Sequence, residues 1–320
     1  MVGSVKDSRP GETWRRDEWL GRRASHERLV GPRVKAHLDR RARGLKHPVE
    51  DFLFDYYPFP PAKLRTWFPP LGVAIEADAE DFEVFWPPDR RPFFRCQDGV
   101  AWLNPQLVPE KILRQAAWVE SLCRAVAERS PRFSCHGLHE WAMVYRQTPG
   151  EVRHRQHSLR LPADELAAFV ESRLVCCTHY DAFRFFTPAA RPLNALQPTL
   201  ETRLQNEQGG CLHANMDLYK WAFKLWPWCG TELVGRAFDL AMSGREIDMR
   251  ASPYDLRELG FEPIRIETIE GRAEYERHQR QFAGEASALR AEIRAAADRL
   301  LAARGASGYE LPELVLKERC

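Results

Sequence analysis

The chain has 320 residues, 44% of them hydrophobic and 29% charged, with a formal net charge of +2. These values match folded globular proteins and exclude the low-hydrophobicity composition of disordered chains. No apolar run approaches the ~18 residues that span a bilayer, and the polar, charged start of the chain lacks a signal-peptide core, so a cytoplasmic protein with no membrane partner is expected.

The length permits one large domain with appendages. The texture predicts a basic helical segment over 1–47, a single main domain over 48–304 and a peripheral tail over 305–320. Arginines crowd the first segment, among them Arg15, Arg16, Arg22 and Arg23, and Asp17, Glu18, Glu27 and Asp39 are interleaved with them. The pattern predicts a long amphipathic helix or a broken pair over 15–43, interrupted at Gly31-Pro32 and stopped by Gly44 and Pro48. Such a helix either meets an anion such as the DNA backbone or presents a solvated face laced by helical ion pairs.

The aromatic block Phe52-Leu53-Phe54-Asp55-Tyr56-Tyr57 follows, then a region punctuated by prolines in which Phe82–Trp86 and Val100–Leu103 read as brief strands. Pro109 stands at a first helical position, and Ile112, Ala116, Val119, Cys123 and Val126 recur at spacings of three and four, which predicts a helix. Further helices are expected over 136–146 and 162–174. The stretch 191–210 is broken by Pro192, Pro198 and Gly209-Gly210 and reads as a long ordered loop, a kind of segment that is often functional. Helical patterns resume over 211–225 and 232–243, and a charged helix over 273–304 closes the pattern. The fold class is mainly α or α+β, a helical core with a proline- and aromatic-rich irregular or short-strand layer.

None of the eight cysteines forms a C-x-x-C pair, so a structural zinc ribbon is excluded and the thiols are expected to be reduced and mostly buried. No phosphate-binding glycine loop, dinucleotide fingerprint or Gly-x-Ser-x-Gly elbow occurs, which sets aside the dehydrogenase, kinase and serine-hydrolase classes.

Chemistry concentrates in three segments: Cys135-His136-Gly137-Leu138-His139-Glu140-Trp141, Thr178-His179-Tyr180-Asp181-Ala182-Phe183, and Cys211-Leu212-His213-Ala214-Asn215-Met216-Asp217 running on to Tyr219 and Trp221. The other histidines stand in charged contexts that suit the surface. Burying these polar groups costs several kcal/mol unless each is paired, about 2–7 kcal/mol per unpaired group, so they are expected to meet one another or a ligand. In a helix His136 and Glu140 fall at i and i+4, as do His213 and Asp217, and with His139, His179 and Asp181 they could hold iron, manganese or zinc. A hydrogen-bonded core network uses the same residues without an ion. A third arrangement is a slot for a flat, electron-poor ring, with Trp141, Tyr145, Tyr180, Phe183, Tyr219 and Trp221 as stacking faces and Asp181, Glu140 or Asp217 facing positive charge.

The phrases Lys46-His47-Pro48-Val49-Glu50-Asp51-Phe52-Leu53-Phe54, Cys135-His136-Gly137-Leu138-His139-Glu140-Trp141-Ala142-Met143-Val144-Tyr145 and Asp248-Met249-Arg250-Ala251-Ser252-Pro253-Tyr254-Asp255 give the chain a resemblance, over most of its length, to actinobacterial proteins labelled 3-methyladenine DNA glycosylase. The resemblance implies a cofactor-free base-excision N-glycosylase with double-stranded DNA as partner. The basic N-terminal segment, with Arg15, Arg16, Arg22 and Arg23, would hold the backbone, and the aromatic segments would receive the flipped base. Asp181 is the first choice for the carboxylate that supports the sugar cation, with Glu140 and Asp217 behind it. The alternative from the residues themselves is a metal-dependent oxidoreductase acting on a small-molecule substrate, with His136, His139, Glu140, His179, His213 and Asp217 as ligands. A third reading is a non-enzymatic ligand-binding protein with a satisfied polar core.

Overall fold

The computed structural model describes residues 9–148, 150–152 and 156–305. Helices dominate and one four-stranded sheet accompanies them, so the fold is mainly helical α+β. Two compact units result, each discontinuous in sequence: the chain up to Arg124, Leu218–Asp239 and the stretch from Leu289 form the first, and Ala125–Asp217 with Leu240–Ala288 form the second. Among the described residues no helix is long and apolar enough to cross a membrane.

In the first unit the basic segment forms one helix, Arg16–Ala42. The expected break at Gly31-Pro32 does not occur. Pro32 is exposed, so the carbonyl it leaves without a partner faces water, while Val30, Gly31, Val34 and His37 keep the buried face continuous. Strands β1 (Glu12–Trp14), β2 (Val73–Glu76), β3 (Phe94–Gln97) and β4 (Val100–Leu103) lie in the order β1-β2-β4-β3. The pair β1/β2 is parallel and the other two are antiparallel. Asp98 (φ 50°) and Gly99 (φ 72°) turn β3 into β4, as an Asp-Gly hairpin does.

The segment Phe82–Trp86, expected as a strand, belongs to the helix Ala79–Phe85. Asp78 and Asp81 cap it reciprocally, Asp81 N–H donating to Asp78 Oδ1 at 2.9 Å and Asp78 N–H to Asp81 Oδ2 at 3.2 Å. Its Phe85 and the neighbouring Trp86 meet Trp19 at ring distances of 5.4 and 5.7 Å, and Trp19 stacks on Trp67 at 5.7 Å. Buried indoles need partners for their N–H groups: Trp19 donates to the Glu76 carbonyl at 2.7 Å and Trp86 to that of Trp67 at 2.8 Å.

The second unit has shorter helices and more irregular chain. The helix expected over 136–146 is reduced to Leu138–Ala142, because His136 (φ 47°) and Gly137 (φ 76°) both take the left-handed conformation and stop the helix from starting earlier. The helix expected over 232–243 instead runs Thr231–Ala251, with its later turns in this unit, and the closing helix spans Ile269–Ala303. The stretch 191–210 is largely irregular, interrupted by the turns Arg191–Leu193 and Arg203–Asn206. Residues 306–320, and with them Cys320 and nearly all of the expected tail, lie outside the described residues. Of the described cysteines, Cys123, Cys177 and Cys229 are buried, Cys135, Cys176 and Cys211 half-buried, and Cys96 exposed, so burial is less general than expected.

Candidate metal centre

The left-handed turn at His136-Gly137 and the short helix after it send His139 and Glu140 inward, and both are buried. Asp248 and Arg245 come from the Thr231–Ala251 helix, three residues apart and therefore on one face. His139 Nε2–H donates to Asp248 Oδ1 at 2.7 Å, and its Nδ1 lies 3.5 Å from the Cys135 sulfur. Arg245 Nη1 donates to Asp248 Oδ2 at 3.0 Å and to Glu140 Oε1 at 3.2 Å. His213, from the helix Leu212–Met216, brings Nε2 to 3.8 Å from Asp248 Oδ2 and meets the His139 ring edge-on at 4.5 Å. One donor atom from each of His139, Glu140, His213 and Asp248 lies within 4.8 Å of all the others.

Electrostatics separate the four. Burial alone would raise the Asp248 carboxyl, but His139, His213 and Arg245 outweigh it and hold the group far below the usual carboxylate range. Burial likewise opposes charge on His139, and Asp248 overcomes it, keeping the imidazolium well above the ordinary value. Glu140 is pushed up to about 7 by burial and by the nearby Asp248 charge. Burial lowers His213 to about 3, helped by the positive charge of His139 and Arg245, so its ring is neutral and keeps a lone pair.

A second group is His179, Glu207 and Asp217. His179 Nε2 lies 3.2 Å from Asp217 Oδ2 and 3.5 Å from Glu207 Oε1, and its ring stacks on His213 at 5.7 Å. Arg203 reaches Glu207 at 3.0 Å and Asp181 at 2.6 Å, and these carboxylates hold its guanidinium charged against burial. The two groups differ at the far side of the imidazole. A metal-binding histidine gives its other ring N–H to an acceptor. His139 has the Cys135 sulfur in that position, whereas His179 Nδ1 is buried with no hydrogen-bond partner. The first group is therefore the better metal site.

His139 and His213 line a cavity of about 230 Å³, walled also by Cys135, Cys176, Cys211 and Tyr275. An apolar cavity of about 150 Å³ takes benzene, so a small organic molecule fits here.

The other sequence candidates have separate fates. His136 is not on the face of Glu140, because the left-handed turn separates them, and it lies 3.8 Å from Glu276. Asp181 is engaged by Arg203, with Arg184 at 3.7 Å. Trp141 donates to the Ala251 carbonyl and packs on Phe169, Tyr145 donates to Glu171 at 2.6 Å, and Phe183 meets Phe186. None of these, nor half-buried Tyr180, lines the cavity. Tyr219 and Trp221 belong to the first unit, where Tyr219 meets Tyr57 and Trp221 meets Trp118. The four arginines are also in the first unit: Arg15 pairs with Asp17, Arg16 with buried Asp81 at 2.7 Å, Arg22 with Glu18 and Glu232, and Arg23 lies over Phe85.

The sequence reading missed Asp248, Arg245 and Glu207. Asp248 stands inside one of the phrases that carry the family resemblance, and Glu207 lies in the broken stretch flagged as a functional loop, so each had a faint signal. His26 and His37, expected at the surface, are buried: His26 donates to the Leu64 carbonyl at 2.7 Å and His37 to Asp51 at 2.9 Å. No family model matches this chain, and neither a curated protein nor a solved structure matches it.

Proposed function

We propose that the chain is a metal-dependent oxidoreductase whose ion is held by His139, His213 and Asp248, with Glu140 as a further donor, and whose small-molecule substrate enters the adjoining cavity. The observation that carries the reading is the convergence of two imidazoles and two carboxylates within 4.8 Å, with both imidazoles on the wall of that cavity. Two histidines and a carboxylate with open positions suit iron(II), and manganese accepts the same donors. When bound, such an ion supplies the redox chemistry. The chain's own residues orient it: Arg245 holds both carboxylates, and Cys135 lies against the outer nitrogen of His139.

Base excision, which the family resemblance implies, asks for a carboxylate and an aromatic slot in one pocket. Asp181 is engaged by Arg203, and the aromatic candidates are shared between two units and absent from the cavity wall. These observations favour the metal reading. Elemental analysis of protein purified without chelator tests it, with about one iron or manganese per chain expected and lost in Asp248→Asn. Protein that holds no metal after anaerobic reconstitution sinks the proposal, and stoichiometric zinc sinks its redox half. Release of alkylated adenine from duplex DNA, lost in Asp181→Asn, would restore base excision.

A further inference from the structure

Histidine ligands are poor at choosing their own orientation. The ring can present either nitrogen, and the hydrogen bond made by the nitrogen away from the metal decides which. For His139 that outer atom is Nδ1, and the group it meets is the Cys135 sulfur at 3.5 Å. The contact spans four residues without an intervening helical turn. It exists because His136 and Gly137 take consecutive left-handed conformations, which fold the sulfur back over the start of the Leu138–Ala142 helix.

That turn is strained at His136, where a side chain is carried at φ 47°, and closely packed at Gly137. A Cβ on Gly137 would come within 3.3 Å of both the Ala251 side chain and the Tyr275 ring. A strained, packed turn beside a cavity needs a reason, and the presentation of Cys135 supplies one. The neighbouring thiols are turned to other partners: Cys176 meets the Ser134 hydroxyl at 3.3 Å, and Cys177 donates to the His179 carbonyl at 3.5 Å.

We infer that Cys135 is a positioning residue for the metal centre: its sulfur accepts the Nδ1–H of His139 and so turns Nε2 toward Asp248 and the ion. The inference rests on the metal reading above, and it concerns the Cys135 contact with His139, not the share of the cavity wall that Cys135 forms. It makes the sulfur an acceptor, so an oxygen in its place should serve and a methyl group should not.

The test compares wild type, Cys135→Ser and Cys135→Ala for cobalt(II) affinity by chelator competition and for the cobalt(II) absorption spectrum, with melting curves to confirm folding. Loss of an outer-shell partner costs roughly 10–100-fold in metal affinity, so Cys135→Ala should weaken by that factor and shift its ligand-field bands. Cys135→Ser should stay close to wild type in both. In zinc-loaded wild type, which needs no variant to fold, nitrogen NMR should show His139 protonated at Nδ1 and bound through Nε2. Cys135→Ala with wild-type affinity and spectrum, or a His139 ring bound through Nδ1, overturns the inference alone. Wild-type protein that takes up neither cobalt nor zinc overturns the metal reading and the inference together.

Discussion

Among the described residues, the buried His37–Asp51–Arg40 and His139–Asp248–Arg245 arrangements serve opposite ends. In the first unit Asp51 accepts from His37 at 2.9 Å, from Arg40 through two nitrogens at 2.7 and 3.0 Å, and from the His47 N–H at 2.8 Å. The His37 ring stacks on Phe54 at 4.3 Å. Every lone pair of that carboxylate is used by the protein. In the second unit Asp248 accepts from His139 and Arg245, but His213 stops at 3.8 Å, Glu140 is drawn in beside it, and two of the imidazoles border a cavity. A saturated carboxylate is structural. An incompletely saturated one, beside a neutral imidazole that itself borders a cavity, is equipped to take something more.

The largest expected effect sharpens that contrast. Asp248→Asn leaves Arg245 and His139 buried without their shared charge, a change that costs about 3–5 kcal/mol when a buried pair is broken, and it should also abolish metal retention. Asp51→Asn should cost a similar amount in denaturant unfolding yet leave metal content untouched. Equal metal loss in both variants would make the effect one of general unfolding and erase the distinction.

A smaller effect is expected at the imidazoles. His213→Ala removes a ring whose side chain is 14% exposed beside a cavity, so stability should fall by only about 1 kcal/mol while metal affinity drops at least tenfold. His37→Ala should do the reverse, lowering the melting temperature and sparing the metal.

The pH response of chelator-treated protein separates the regions in sign. Burial opposes charge on His139, but Asp248 holds its pKa well above 6.5, and burial with Asp248 pushes Glu140 from 4.5 to about 7. Both groups bind protons more tightly when folded. Their contribution is complete below the unfolded values and is lost as pH rises through the folded ones. For Asp51, burial is outweighed by Arg40, His37 and the His47 N–H, so its pKa is depressed and its contribution is lost only as pH falls below the ordinary carboxylate range. Metal-free protein should therefore melt at lower temperature as pH climbs from about 5 toward 8. His139→Gln, which removes one of the two protons, should flatten that slope, and an unchanged slope would show that the proton resides elsewhere. Bound metal should reverse the trend, because the ion replaces the His139 proton.

The smallest effect concerns the basic helix. Arg16→Gln strips buried Asp81 of its bidentate partner and should lower the melting temperature by a few degrees. Arg15→Gln touches only an exposed pair with Asp17 and should leave it unchanged. If the two melt alike, the helix is a free basic surface after all.

Much of the helical pattern was legible, because Glu110–Ala127 and Ala163–Glu171 carry apolar residues at helical spacing and begin at prolines or acidic first turns. The centre was half legible. His139, Glu140 and His213 were singled out by their apolar company, but Asp248 and Arg245 sit among ordinary helical residues beyond Ser243, where no local signal separates a buried charge from an exposed one. His26 and His37 were misplaced for the same reason, since their neighbours in sequence are charged while their own positions fall on the inner stripe of the Arg16–Ala42 helix. The left-handed state of His136 was illegible, because no turn pattern of the Asp98-Gly99 kind announces it and the strain is held by tertiary packing.

The interleaving of the two units constrains how the chain can be made. The first needs Ile293, Ala297 and Leu300, all buried, and those residues are translated long after Arg124. At roughly 5–20 residues per second the aromatic N-terminal portion waits on the order of ten seconds for its last helix. Throughout that interval Trp19, Trp67 and Trp86 depend on local packing with the small sheet, or on a chaperone, to stay out of water. The second unit's final segment ends at Ala288, so the chain it needs leaves the ribosome ahead of the last residues the first unit needs.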